Sequence, residues 1–170
     1  MRDFVYSGNG KMIIDLRGNP GGFLESAVDA TSWFLPIGKT VVREKFGNGE
    51  ENIFRSKGYN IFNNLPLAIL VNEGSASASE IMAGALQEHN IAKLVGTKTF
   101  GKGSVQELVE ITPQTSLKIT IAKWLTPNGV SISDQGLEPD FKVEITKKDL
   151  ELENDPQMEK AKEVVNNWKK

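Results

Sequence analysis

Cysteine is absent and histidine occurs once, as His89, so disulfides, thiol nucleophiles, zinc–cysteine sites and multi-histidine metal centres are excluded by counting. Carboxylate-bound metal is the metal chemistry that counting leaves open. No apolar run approaches the roughly 18–20 residues of a membrane span, and Met1-Arg2-Asp3-Phe4 does not open a signal peptide. An excess of one charge is also missing: 20 basic against 22 acidic residues leave a net charge of −2. No global field concentrates nucleic acid or an anionic membrane surface, and nucleic acid is not expected as a partner. Internal repeats, low-complexity segments and long charge blocks are lacking too. What remains is an ordinary globular composition, 39% hydrophobic and 25% charged over 170 residues, enough for one domain with a sizeable core. Composition does not specify the compartment, because a chain without cysteine suits an extracytoplasmic site as well as a cytosolic one.

Lys11 to Leu16 is a short β-branched apolar run that ends in Arg17-Gly18-Asn19-Pro20-Gly21-Gly22, a buried strand feeding a glycine-rich turn. From Phe23 to Leu35, Leu24, Ala27, Val28, Thr31, Phe34 and Leu35 fall at helical spacing, and Pro36-Ile37-Gly38 stops the helix. Thr40 to Phe46 and Glu51 to Ser56 flank Gly47-Asn48-Gly49-Glu50, a hairpin expected to project from the main sheet. Pro66 to Val71 is apolar throughout, as in a strand covered on both faces, and Ser75 to His89 follows as an alanine-rich helix. Ile91 to Gly96 predicts another strand, and Thr97 to Gly103 a glycine-bracketed loop. Ser104 to Ile111, Ser116 to Leu125 and Phe141 to Thr146 predict three more strands, in an antiparallel part of an α/β fold. Lys147 to Asn154 is the linker candidate. From Asp155 an Asp-Pro start opens an amphipathic helix with Met158, Ala161, Val165 and Trp168 on one face, which suits docking to a missing segment or to a second copy in a homo-oligomer. The division is therefore an N-terminal piece (1–10), a core (11–154) and a C-terminal amphipathic helix (155–170).

Chemistry is expected first at Asn72-Glu73-Gly74-Ser75-Ala76-Ser77-Ala78-Ser79-Glu80, where a hydroxyl can stand at a helix N-terminus and backbone N–H groups can hold an anion. The blander role, commoner for such a pattern, is that Ser75 caps the helix and that the small residues serve close packing. A serine nucleophile needs a base. His89 lies 12 residues beyond Ser77 on the same predicted helix, about 18 Å away at ~1.5 Å per residue, so it is a polar residue near a helix C-terminus and not the partner. Lys102, between Gly101 and Gly103, can return to the mouth of the same sheet. Its usual role would be that of a solvated loop lysine. As a base it must be neutral, which takes roughly 4–5 kcal/mol of destabilisation of the ammonium, as burial in an apolar pocket supplies. Gly96 to Lys102 also matches the phosphate-loop spacing GxxxxGK. Gly103 stands where a magnesium-binding Ser or Thr belongs, however, and Val105, Val109 and Pro113 follow where that loop needs a helix.

Asp15-Leu16-Arg17-Gly18-Asn19-Pro20-Gly21-Gly22, Gly74 to Glu80, and Phe100-Gly101-Lys102-Gly103 with Gln106 together resemble the carboxy-terminal processing (tail-specific) proteases, in order and in spacing. Thr126-Pro127-Asn128-Gly129 and Gly136-Leu137-Glu138-Pro139-Asp140 resemble two further signatures of that family, and the resemblance runs from Lys11 to about Val165. It implies a Clp-protease/crotonase-like core of β-β-α units, with Ser77 as nucleophile, Lys102 as its base 25 residues later and Gln106 orienting the lysine amine. The oxyanion would be held by the N–H of Ala78 with that of Gly21 or Gly22. Glu88 stands where Asp is commoner and is expected to be structural.

The resemblance further implies a serine endopeptidase that cleaves near protein C-termini without metal or cofactor, acting on proteins or peptides with accessible tails. Full-length relatives are extracytoplasmic, in the periplasm, at the cell surface or in the thylakoid lumen. They carry an N-terminal helical segment and a PDZ domain before the core, whereas only Met1 to Gly10 precede the first core strand here. The chain looks truncated, as an excised catalytic core, a split gene product or an inactive remnant would. The rival expectation is a catalytically inactive binding domain that keeps the fold, and a weaker third is phosphate or nucleotide binding by the 96–102 loop.

Overall fold

The computed structural model describes residues 2–133 and 135–168, without the side chains of Arg2 and Asp3. A short helix α1 (Arg2–Ser7) precedes β1 (Met12–Asp15), α2 (Leu24–Ser32), the antiparallel pair β2 (Thr40–Phe46) and β3 (Glu51–Arg55), β4 (Leu67–Val71), α3 (Ala78–Glu88) and β5 (Lys93–Gly96). Then come the long strands β6 (Ser104–Thr112) and β7 (Thr115–Leu125), the short β8 (Phe141–Lys142), α4 (Lys147–Glu151) and α5 (Pro156–Asn166).

Two four-stranded sheets result, one in the order β1-β4-β5-β8 and one in the order β3-β2-β7-β6. The first is parallel throughout, and the second is antiparallel. Every residue of β4 is buried, because both faces of the first sheet are covered. Leu67, Ile69 and Val71 join Ala27, Val28, Ile81, Ala85 and Leu86 of α2 and α3 in one core. Ala68, Leu70 and Val95 meet Ala161, Val164 and Val165 of α5 in the other. The period-two alternation of side chains across the pleat sends odd and even residues to opposite layers, so a continuous apolar run, not an alternating one, marks this strand.

Four expectations change. The 40–55 hairpin does not merely project: β2 pairs with β7, with Arg43 opposite Leu125 and Phe46 opposite Ala122. The hairpin that reaches into solvent is β6–β7, most of whose residues are exposed. The strand predicted over 141–146 shortens to Phe141–Lys142 and joins β5 in parallel, not in the antiparallel part. The linker candidate contains α4, whose N-cap Thr146 accepts the Asp149 N–H while the Asp149 carboxylate accepts the Thr146 N–H at 2.9 Å, a reciprocal cap. Finally, the apolar face of the C-terminal helix is covered by the chain's own first sheet, which removes the reason to invoke a missing segment or second copy there. Trp168 and Met158 pack at its border, as the helical spacing predicts.

Candidate active site

The site sits where β1 and β4 end and α3 begins. Leu16 donates its N–H to the Leu70 carbonyl at 2.9 Å, and the chain then breaks into the glycine turn. Asn72 Oδ1 accepts the N–H groups of Gly18 at 2.8 Å and Gly74 at 3.0 Å, tying the turn to the segment before α3. The Asn19 carbonyl accepts the Ala76 N–H at 3.0 Å and the Ser79 hydroxyl at 3.1 Å. Ser75 is fully buried and donates to the Leu16 carbonyl at 2.7 Å. It therefore locks the two strand ends together and does not cap α3. That position belongs to Ser77.

Ser77 is half-buried and adopts φ 55°, ψ −119°, a conformation that costs a residue other than glycine roughly 1–3 kcal/mol and is retained where surrounding contacts over-determine it. A serine held on such a strand-to-helix elbow presents its hydroxyl away from the turn. The next N–H, that of Ala78, is the first of α3 and has no hydrogen-bond acceptor among the described residues. It points from the positive end of a helix of 11 residues, the place where negative charge is favoured. Of the two glycine candidates, Gly21 donates its N–H to Asn19 Oδ1 at 2.9 Å, whereas the Gly22 N–H is unengaged among the described residues. Of the two, Gly22 is the one whose N–H remains free among the described residues.

Gly21 is required for contact. At φ +93°, a Cβ built on it would lie 2.5 Å from the Ala76 carbonyl oxygen, 2.7 Å from the Ala78 nitrogen and 2.9 Å from Ser77 Cβ. Gly21→Ala should push the turn off Ser77 and slow its reaction with a fluorophosphonate by about 100-fold. Gly22→Ala, where a Cβ meets open space and the N–H is kept, should change it little. Labelling rates with a fluorophosphonate compare the two; equal rates would show that the close approach is irrelevant to reactivity.

Lys102 is brought to this elbow by Glu80, a residue whose role the motif alone does not disclose. Its side chain is fully buried. Glu80 Oε2 accepts the Ser77 N–H at 2.9 Å and the Lys102 N–H at 3.0 Å, while Oε1 accepts the Gly101 N–H at 2.7 Å and the Thr99 hydroxyl at 2.6 Å. Four donors match the acceptor capacity of a carboxylate. The nitrogens of residues 77 and 102 consequently lie no further apart than the sum of two hydrogen-bond lengths. Phe100 also donates its N–H to the Ser75 carbonyl at 3.0 Å. Behind the loop, Leu137 donates its N–H to Thr99 Oγ1 at 2.7 Å, and Gly103 approaches so closely that an added Cβ would lie 2.3 Å from the Ser133 nitrogen.

The Lys102 side chain itself is exposed, which departs from the burial its use as a base requires. Among the described residues its ammonium forms no hydrogen bond with Ser77 and no ion pair. The Gln106 side chain, exposed on β6, makes no hydrogen bond to it either. His89 lies at the far end of α3 with Nε2 2.7 Å from the Thr40 carbonyl oxygen. Glu88 accepts the Asn128 N–H at 2.7 Å, bracing the Thr126–Gly129 turn as a structural residue. Asp140 likewise accepts from Leu94 N–H at 2.8 Å and from the Gln87 amide at 3.1 Å. After Gly103 the chain enters β6, so the 96–102 loop lacks the helix N-terminus that phosphate binding needs.

The groove beside Ala78 has a volume of about 180 Å³ and is lined by Leu16, Gly22, Phe23, Ala27, Ala30 and Met82 among others. Arg17, next to Leu16 in the chain, pairs with Asp15 and Asp155. Hydrogen bonds from Arg17 are the main reason both carboxyls sit below their ordinary range. A depressed carboxyl contributes stability that is present above its unfolded value of 3.8 and is lost as pH falls through the lower folded value. Both side chains are more than a third exposed, at 43% and 37%, so screening keeps the contribution small. Asp155→Asn should slightly flatten the fall in urea midpoint as pH drops below Asp155's ordinary value of 3.8; an unchanged slope would assign the acid sensitivity elsewhere.

Peptidase family S41 matches residues 1–143, and the chain belongs to this family. A probable CtpA-like serine protease of Staphylococcus aureus (strain COL) is 46% identical over 138 residues, 81% of this chain and 28% of that protein. Its counterpart in Staphylococcus haemolyticus (strain JCSC1435) is 45% identical over 133 residues, 78% of this chain and 27% of that protein. The chain thus spans little more than a quarter of the length of these relatives. Among solved structures, a photosystem II D1 C-terminal processing protease superposes with a TM-score of 0.78 at 32% identity, over 88% of this chain and 39% of that one. Mature CPAF superposes with a TM-score of 0.73 at 16% identity, over 96% of this chain and 46% of that one, which is a likeness of fold.

Proposed function

We propose that this chain is the catalytic core of a carboxy-terminal processing serine endopeptidase. The observation that carries the reading is the shared carboxylate: one buried Glu80 holds the backbone of a strained serine at a helix N-terminus and the backbone of the loop lysine. In this reading the Ser77 hydroxyl attacks a peptide carbonyl while its proton passes to neutral Lys102 Nζ. The N–H groups of Ala78 and Gly22 receive the charge that forms on the carbonyl oxygen. Lys102 then returns the proton to the leaving amine, and the acyl-enzyme is released by a water that Lys102 deprotonates. Gln106 holds the amine from β6. The groove beside Ala78, small and mostly apolar in lining, takes the side chain on the acyl side of the scissile bond. A substrate lying across the open cleft removes water from Lys102 and disfavours its ammonium.

The substrates are proteins or peptides with accessible C-terminal tails, and the compartment is extracytoplasmic, in keeping with the family resemblance. No described helix is long and apolar enough to cross a membrane.

The exposure of Lys102 favours a second reading, a domain that binds peptides without cleaving them. A fluorophosphonate probe separates the two. Labelling of the parent chain with complete loss in Ser77→Ala supports the peptidase, equal labelling of both removes Ser77 as nucleophile, and no labelling of either supports the binding domain.

A further inference from the structure

We propose that Asp155 and Gln157, at the start of the C-terminal helix, are positioning residues for the active-site glycine turn and act on it through Arg17. This rests on the peptidase reading above. All five guanidinium N–H donors of Arg17 are used. Nε and Nη2 hold Asp15 at 3.0 and 2.7 Å, Nη1 and Nη2 hold the two oxygens of Asp155 at 3.0 and 2.8 Å, and Nη1 also reaches Gln157 Oε1 at 3.2 Å. The Asp155 pair is a two-point fork, the geometry in which arginine and carboxylate fix one another's orientation. Gln157 is 2% exposed, and its amide donates to the Val143 carbonyl at 2.8 Å. The far side of the clamp, Asp155 and Gln157, lies beyond the residues that match the family and is anchored to Val143, the residue that follows β8.

The near side is one residue from the site. Arg17 is followed by Gly18, whose N–H is held by Asn72, and by Asn19, whose carbonyl grips Ala76 and Ser79 on either side of the nucleophile. Asn19 Oδ1 also fixes Gly21, which abuts Ser77. A rotation of Arg17 would be transmitted along this short run to the Gly22 N–H, the group assigned to the oxyanion. The exposed ion pair adds little stability by itself. Its effect is directional, because reactivity depends on placing a donor to within a few tenths of an ångström.

Asp155 also caps α5, accepting the Met158 N–H at 2.9 Å, and the test separates the two roles. Asparagine caps as well as aspartate but cannot hold the guanidinium with two anionic oxygens. In the full chain, Asp155→Asn is expected to lower the melting temperature at neutral pH by no more than about 2–4 °C, to lower kcat on a peptide about tenfold and to leave KM within about twofold. Exchange of the Gly18, Asn19 and Gly21 amides should quicken while that of the Leu67–Val71 strand does not. Asp155→Ala should add a loss of melting temperature from the missing cap. Unchanged kcat in Asp155→Asn overturns the proposal whatever the exchange shows, as does a loss of activity that follows the cap alone. If the parent chain shows neither turnover nor labelling, the peptidase reading fails, and unchanged turn exchange in Asp155→Asn would independently overturn the clamp while faster exchange would uphold it.

Discussion

The Lys102→Arg chain is expected to fold as its parent does and to turn over peptide at least about 1,000-fold more slowly. Arginine keeps the charge and nearly the reach of lysine but does not lose its proton in a protein, so it cannot accept one from Ser77. The fold should be indifferent to the change, because the loop is held through the backbone N–H groups of Gly101 and Lys102 and the side chain is exposed. Lys102→Ala should match it kinetically. Peptide hydrolysis and thermal melting measured together make the distinction. An arginine variant with near-parental turnover would exclude residue 102 as the general base and direct attention to a water or carboxylate route.

Glu80→Gln, by contrast, should damage stability and rate at once. The replacement keeps the shape, but one of its two terminal atoms becomes an NH₂ facing donors. Turned one way it opposes the N–H groups of Ser77 and Lys102; turned the other, it opposes Gly101 and leaves Thr99 to find a new partner. Each buried N–H left without an acceptor costs about 1–3 kcal/mol, so a loss of about 2–4 kcal/mol is expected by urea unfolding. The Ser77 elbow and the Lys102 loop would also lose the group they share, and a further fall in turnover of about 100-fold is expected from their separation. A glutamine variant with parental stability would mean that the carboxylate is dispensable, and one with parental turnover would mean that its bridging is not what aligns the site.

The paired effects show how much of the site can be read from the chain. Small residues at short spacing mark the glycine turn, the 74–80 segment and the 101–103 loop, whereas the choice of Ser77 among three serines and of Lys102 as its partner comes from the family resemblance. Glu80 is as visible a letter as these, yet its four donors come from residues 77, 99, 101 and 102. Only the return of the chain after β5 brings three of them to it. Asn19 and Asn72 are equally silent, since an asparagine at a strand end reads as an ordinary turn residue until its partners are known. The same limit explains the hairpins. Gly47 to Glu50 specifies a turn by local backbone preference, but the pairing of β2 with β7 joins residues far apart in the chain, and no periodicity encodes which partner an edge will take.

Local pattern is enough for the class of fold, for the strand-turn-helix that carries Ser77, for the exclusion of His89 by helical rise and for that of a phosphate loop by the strand that follows it. These depend on interactions within a few residues, which spacing and residue type express directly. Packing is what leaves Gly22 and not Gly21 with an N–H to offer, lays α5 on its own sheet, and brings Arg17 to Asp155 across 138 residues of sequence. Those outcomes depend on which buried donors and charges find partners once distant segments meet. That is a condition on the whole chain, and no short stretch of it contains the answer.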